Sequence, residues 1–112
     1  MAGAVAAKLS SIKDKAGIGG RQVAALMGTT PQTVSRWQQG HSDPRQPTLR
    51  RLLTLEWLAS QLAEFYGPTD ARVWLYSPHR LLAGATPADL IAGGRMDDVL
   101  AVIDQLRTSA VV

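Results

Sequence analysis

Glycine and proline cut this chain into short pieces, and the pieces between the cuts carry apolar residues three and four apart. That spacing lines side chains along one face of a helix, and no stretch shows the alternation a half-buried strand needs. The sequence therefore predicts an all-α protein. Val5, Leu9 and Ile12 mark a first helix over 4–15, broken by Gly17-Ile18-Gly19-Gly20. A short second helix over 21–27 carries Val23, Ala24, Leu26 and Met27, and Gly28 stops it. The hydroxyls of Thr29 and Thr30 can cap a third helix over 31–39, with Pro31 at the favoured first position and Gly40 at the end. Asp43-Pro44-Arg45-Gln46-Pro47 reads as the linker, because prolines three apart forbid a helix through it.

Beyond the linker, residues 48–66 form the longest expected helix, opened by Thr48. Leu52, Leu55, Ala59 and Leu62 share one face, widened by Leu49, Leu53, Trp57 and Leu58, as in a central core helix. Gly67-Pro68 ends it. A short helix follows from Thr69 through Tyr76, then a turn capped by Ser77-Pro78 that contains Leu81 and Leu82. Thr86-Pro87 opens another helix with Leu90 and Ile91, closed by Gly93-Gly94. The last, over 95–107, buries Met96, Val99, Leu100, Val102, Ile103 and Leu106. Trp74, Pro78 and Pro87 read as structural, the tryptophan filling a small lobe and the prolines starting turns.

A chain of 112 residues with 46% hydrophobic content can bury a core as one compact unit, or as two helical lobes sharing it. With no cysteine, disulfide frameworks and thiolate metal sites are excluded. The start, Met1 to Lys8, is too short in apolar residues for a secretory signal, and no run approaches the ~20 residues that span a bilayer. The cytoplasm is the expected compartment. Charge is uneven along the chain. Residues 1–50 hold seven Lys/Arg against Asp14 and Asp43, whereas 51–112 hold five arginines against seven acids. A basic front and a mildly acidic back point to two partners.

Catalysis finds little support. His41 and His79 lie in separate loops, and the neighbouring side chains of Asp97-Asp98 diverge on a helix. Those two acids suit a helix N-terminus, where the dipole favours them. The glycine cluster at 17–20 lacks a preceding strand and a following Lys-Ser/Thr, so it is a turn rather than a phosphate loop. No catalytic residue, metal or cofactor is expected.

Residues 20–40 have the spacing of a helix-turn-helix. Two helices crossing steeply need a small residue at the approach, a residue tolerating positive φ at the turn, and apolar plugs on the second helix. Ala24, Gly28, Val34 and Trp37 supply them in register. Gln32, Thr33, Arg36 and Gln39 then lie near the outward face. Gln can pair adenine, Arg can pair guanine, and the Thr methyl can touch thymine in the major groove. Arg21, Gln22, Ser35 and His41 are placed to hold phosphates, and Thr30 of the turn is counted with the same face. Gln39 and His41 can also be read as ordinary solvated polar residues, and for His41 that is the favoured reading.

Residues 20–40, Gly-Arg-Gln-Val-Ala-Ala-Leu-Met-Gly-Thr-Thr-Pro-Gln-Thr-Val-Ser-Arg-Trp-Gln-Gln-Gly, resemble the helix-turn-helix of the Xre (phage repressor-like) family. Val73 to Leu82, with its Trp74 and Pro78, followed by Gly84-Ala85-Thr86-Pro87-Ala88-Asp89-Leu90, resembles the toxin-binding domain of Xre/MbcA/ParS antitoxins. The resemblance spans nearly the whole chain. It implies an Xre-like helix-turn-helix lobe over 1–47, then a small helical lobe over 48–112 for dimerisation and toxin binding.

It further implies an antitoxin of a type II toxin–antitoxin pair whose partner is a RES-domain toxin that degrades NAD. The C-terminal end would enter the toxin's NAD pocket, and the helix-turn-helix would repress the shared operon. Carried over, the plugging segment is Thr108-Ser109-Ala110-Val111-Val112, with Arg80 beside it and Arg95 joining if exposed. The closing aromatic residue common in the family is missing here, and packing of Val111 and Val112 on the last helix is the other reading of the tail. The remaining alternatives are a stand-alone Xre-like repressor whose back half only dimerises, and an interaction module that no longer binds DNA. Arg36 and the Gln/Thr set argue against the latter. One recognition helix covers few base pairs, so a homodimer on operator DNA, and a larger hetero-oligomer with toxin, are expected.

Overall fold

The computed structural model of the chain describes residues 3–111, with side chains through Ser109. Seven α-helices and one 3-10 turn fill the described residues: α1 (Ala4–Ala16), α2 (Gly20–Met27), α3 (Pro31–Gln39), α4 (Gln46–Ala63), α5 (Pro68–Leu75), the 3-10 turn Arg80–Leu82, α6 (Pro87–Ala92) and α7 (Met96–Val111). The architecture is all-α, as the apolar periodicity predicts.

Helix α4 is the spine. Its buried stripe is Leu52, Leu55, Leu58, Ala59 and Leu62, and α1 packs along it through Leu9, Ile12 and Ala16. Helix α5 closes over α1 and α4, while α6 sits on α2 and α7. One continuous cluster runs from Leu9 to Ile103, so residues before and after the linker share a core. A row of ion pairs and hydrogen bonds stitches α1 to α4. Ser11 Oγ donates to Glu56 Oε1 at 2.9 Å, and Lys8 and Lys15 lie 3.9 and 3.7 Å from the same carboxylate.

Helix boundaries follow local chemistry. Thr30 Oγ1 accepts from the Thr33 N–H (3.2 Å) and Thr86 Oγ1 from the Asp89 N–H (3.0 Å), with proline in the first turn each time. Helix α4 begins at Gln46, two residues before the sequence suggests, with Arg45 rather than Thr48 at the cap position. Pro47 falls in the first turn, where no helical N–H is missed, so only Pro44 is excluded from the helix. Helix α7 continues past residue 107 to Val111. Gly17 has φ +69°, and a Cβ there would stand 2.7 Å from the Pro68 carbonyl oxygen, so α1 can meet the start of α5 only through glycine.

Candidate functional site

The helix-turn-helix is built by α2, Gly28 and α3. Gly28 has φ +71° and closes α2 by donating to its last carbonyls, while the Thr29 N–H reaches Ala24 O at 2.9 Å. Ala24, Val34 and Trp37 are all buried, the tryptophan at 5% exposure, so it is a plug and no base-stacking platform. At 100° per residue, anchoring α3 through Val34 and Trp37 turns Gln32, Ser35, Arg36 and Gln39 to the opposite side. Gln32, Arg36 and Gln39 are exposed there, and Gln39 Nε2 donates to Ser35 Oγ at 3.3 Å. Arg36 forms no ion pair among the described residues, nor does exposed Arg21 at the start of α2.

Four of the sequence-predicted positions, Thr30, Thr33, Gln22 and His41, form local hydrogen bonds. Thr30 and Thr33 share a hydrogen bond between hydroxyls (3.0 Å) and cap α3, which places Thr33 on the flank rather than the centre of the outward face. Gln22 Oε1 accepts from the Gly19 N–H at 3.0 Å, holding the start of α2, and the side chain borders a shallow depression with Arg72, Val73 and Tyr76. His41 is exposed just past α3, and its backbone N–H donates to Arg36 O at 2.9 Å.

The basic front is less uniform than its sequence implies. Lys8 and Lys15 are turned to Glu56, leaving Lys13, Arg21, Arg36, Arg45 and Arg50 as exposed cations outside any ion pair among the described residues.

The C-terminal region centres on a closed turn. The His79 N–H donates to Ala85 O (3.1 Å), and His79 O accepts from Leu82 and Gly84 (3.0 and 2.9 Å). The His79 ring packs 4.7 Å from that of Trp74, with Nε2 donating to the Trp74 carbonyl at 2.9 Å. His79 is thus a brace for the turn. Ala83 adopts φ +57°, a left-handed conformation that costs a residue with a Cβ about 1–2 kcal/mol. The turn presents exposed Arg80 and Leu81, the latter 62% exposed, beside a groove of about 380 Å³ bordered by Leu90, Val102 and the Arg95–Asp98 ion pair. Asp97 and Asp98 stand in the first turn of α7, as expected of acids near a helix N-terminus.

Thr108 and Ser109 are exposed, and Thr108 Oγ1 donates back to Asp104 O at 2.9 Å. Ala110 and Val111 continue α7 along the backbone, and Val112 lies outside the described residues. No group of three His, Cys, Asp or Glu side chains suited to a metal occurs among the described residues, nor does any helix long and apolar enough to cross a membrane.

Arg51 is a structural residue that the motifs do not point to. Its Nη2 donates to Leu26 O (2.9 Å) and Ile91 O (3.1 Å), and Nη1 reaches Met27 O at 3.4 Å. It follows the register of Leu55, Leu58 and Leu62, and a charged residue on an apolar stripe is the signal the sequence offers.

The fold and site together define an all-α protein with seven helices among its described residues, in which the α2–α3 pair and a braced C-terminal helical region share one core. The sequence model of the antitoxin Xre/MbcA/ParS C-terminal toxin-binding domain matches residues 56–108. The mycobacterial cidal antitoxin MbcA of Mycobacterium tuberculosis is 34% identical over 102 residues, covering 91% of this chain and 90% of that protein. A probable mycobacterial cidal antitoxin of the same organism is 32% identical over 90 residues, covering 80% and 76%. The crystal structure of the M. tuberculosis MbcT–MbcA toxin–antitoxin complex contains a chain that superposes with a TM-score of 0.78 at 34% identity, covering 91% of this chain and 92% of that one. The chain belongs to the Xre/MbcA/ParS antitoxin family.

Proposed function

We propose that this antitoxin neutralises a cognate toxin through its C-terminal region and represses its own operon through the helix-turn-helix. The observation that carries the reading is the pairing of two surfaces on one core. Gln32, Ser35, Arg36 and Gln39 stand outward on a helix anchored by Val34 and Trp37. Residues 56–108 match a toxin-binding domain, and the similar M. tuberculosis antitoxin crystallises with its toxin.

On DNA, α3 enters the major groove with Arg36 directed at guanine and Gln32 and Gln39 at adenine. Arg21, Ser35 and the α2 N-terminal region with Gln22 hold phosphates, with Thr30 and Thr33 keeping the start of α3 in place. The toxin is of the RES class and consumes NAD. Arg80 contacts it, and the end of α7, Thr108-Ser109-Ala110-Val111-Val112, enters its nucleotide pocket and excludes the dinucleotide. Because α7 is helical through Val111, the plug is delivered as a helix end rather than an extended strand. The chain acts in the cytoplasm without a cofactor, as a pair on its operator and in a larger assembly with toxin.

The test is affinity capture of the tagged chain from its native cells, with mass spectrometry of what co-purifies. A RES-domain partner retained by the full chain and lost on removing residues 108–112 supports both the antitoxin role and the plug. Partner retention and intact inhibition after that truncation overturn the plug alone. The chain recovered by itself, still on its promoter, replaces the reading with a stand-alone repressor.

A further inference from the structure

Two polar clefts flank α3, one on each side of the face that carries Gln32, Ser35, Arg36 and Gln39. The first, of about 320 Å³, lies where α1, the start of α2 and the end of α3 meet, and Ser10, Lys13, Gly19, Gly20 and Gln38 border it. The second, of about 450 Å³, lies between α3 and the linker, bordered by Thr33, Trp37, Ser42, Asp43, Arg45 and Thr48. At 100° per residue, Thr33 and Gln38 bound the outward arc of α3. Arg36, Gln32, Gln39 and Ser35 fall between them in that order, with Val34 and Trp37 behind. The clefts therefore stand on opposite flanks of one face.

Each cleft holds one cation. Lys13 and Arg45 are exposed and outside any ion pair among the described residues. Packing sorts the lysines of α1. Lys8 and Lys15 turn to Glu56 on α4, and Lys13 stands about 140° and 160° from them round the helix, so it points away from that acid. Arg45 is held beside α3 by the linker, one residue before α4 begins. Hydroxyl and amide donors of Ser10, Gln38, Ser42 and Thr48 stand beside the two cations. Asp43 is the opposing charge, an exposed carboxylate on the second cleft with no cation in ion-pair contact among the described residues.

A helix lying in the major groove, about 12 Å wide, has a strand of phosphates along each flank. Cations among hydroxyl and amide donors are the groups that hold phosphates, and they set register without reading sequence. We propose that the two clefts seat the two sugar-phosphate strands that wall the groove, Lys13 pairing with a phosphate of one strand and Arg45 with a phosphate of the other. Asp43 then acts as a brake on the second contact. This deepens the DNA-binding reading above and rests on it for the placing of α3 in the groove.

Titration of the full chain with its own promoter duplex, and with a scrambled duplex of equal length, tests it at several salt concentrations. Lys13→Gln and Arg45→Gln are each expected to weaken both duplexes alike, about five- to tenfold near 0.1 M salt. Each should lower the slope of log affinity against log salt by about 0.9, and the double variant by about twice that. Lys8→Gln, the same charge change on the same helix, should leave the slope nearly unaltered, and Asp43→Asn should tighten both duplexes a few-fold. Helical circular dichroism should be unchanged throughout, because these side chains are outside the core. Phosphate-ethylation interference separates the strands: Lys13→Gln should lose its signal on one and Arg45→Gln on the other. Loss on the same strand overturns the two-sided arrangement. Unchanged slopes for both variants, with operator preference still dependent on Arg36, overturn the clefts and leave the DNA reading intact. A wild type that binds neither duplex overturns both.

Discussion

Arg51 donates from Nη2 to the carbonyl of Ile91, 3.1 Å away, across forty residues of chain. The same nitrogen holds Leu26 O, so one guanidinium closes the C-terminal ends of α2 and α6 from a position on α4. Helix ends leave carbonyls unsatisfied and carry partial negative charge, which a cation offsets without an acid nearby. Arg51→Met removes the donors and strands these carbonyls in a half-buried site. The expected loss is about 2–3 kcal/mol, read by chemical denaturation. Arg51→Lys should recover only part of it, because an ammonium lacks the planar fork. Equal stability of Arg51→Met and wild type would show that the clamp contributes nothing.

The DNA-reading residues should separate by salt dependence. Arg36→Ala, on an exposed position, is expected to leave the melting curve unchanged and cost operator affinity about 1–3 kcal/mol, mostly at one base position. Arg21→Ala should weaken all DNA sequences alike and reduce the slope of log affinity against log salt by about one. Titrations of operator and scrambled duplex at several salt concentrations read both. An Arg36→Ala chain with undiminished operator preference would take α3 out of the groove.

Two glycines with nearly equal φ should respond differently to alanine. Gly28, at +71°, has no atom within 4 Å of where a Cβ would stand, so Gly28→Ala meets only the left-handed backbone cost of about 1 kcal/mol. Gly17, at +69°, adds a 2.7 Å approach to the Pro68 carbonyl oxygen, and backbone cannot swing aside like a side chain. Gly17→Ala is therefore expected to lose about 2 kcal/mol or more. Thermal unfolding of the two variants side by side gives the comparison, and similar losses would refute the close approach of α1 to α5.

The helices are legible in the sequence because breakers are local. Gly28, Gly40, Thr30-Pro31 and Thr86-Pro87 act within a turn of themselves, and the boundaries they mark match the structure closely. The start of α4 is not, because a proline in the first turn and a proline before it look alike in a sequence. Of the outward face of α3, Gln32, Ser35, Arg36 and Gln39 follow from burying Val34 and Trp37. Thr33 and Gln22 are harder to place, since their hydroxyl and amide answer to caps that depend on backbone geometry. Trp57 and Leu53 read as core by hydropathy alone. Which side of α4 meets α1 is decided by packing between distant segments, and that leaves both partly in solvent.

Long-range pairing also redistributes the charge of the front half. Glu56 lies within 4 Å of both Lys8 and Lys15 and accepts from Ser11, with its side chain 16% exposed against 41% for each lysine. The acid is shielded while its cations are in contact with water, so each pair is worth well under a buried bridge. Glu56→Gln keeps the shape and a hydrogen-bond acceptor for Ser11 while removing the charge. Its expected cost is about 1 kcal/mol at low salt, shrinking as ionic strength rises and the wild-type attraction is screened. The same change releases two lysines on α1, so non-specific DNA affinity should rise slightly and its salt slope steepen. Denaturation at low and high salt reads the first effect and duplex titration the second. A cost independent of salt would mean that Glu56 acts through packing and its Ser11 bond, not through its charge.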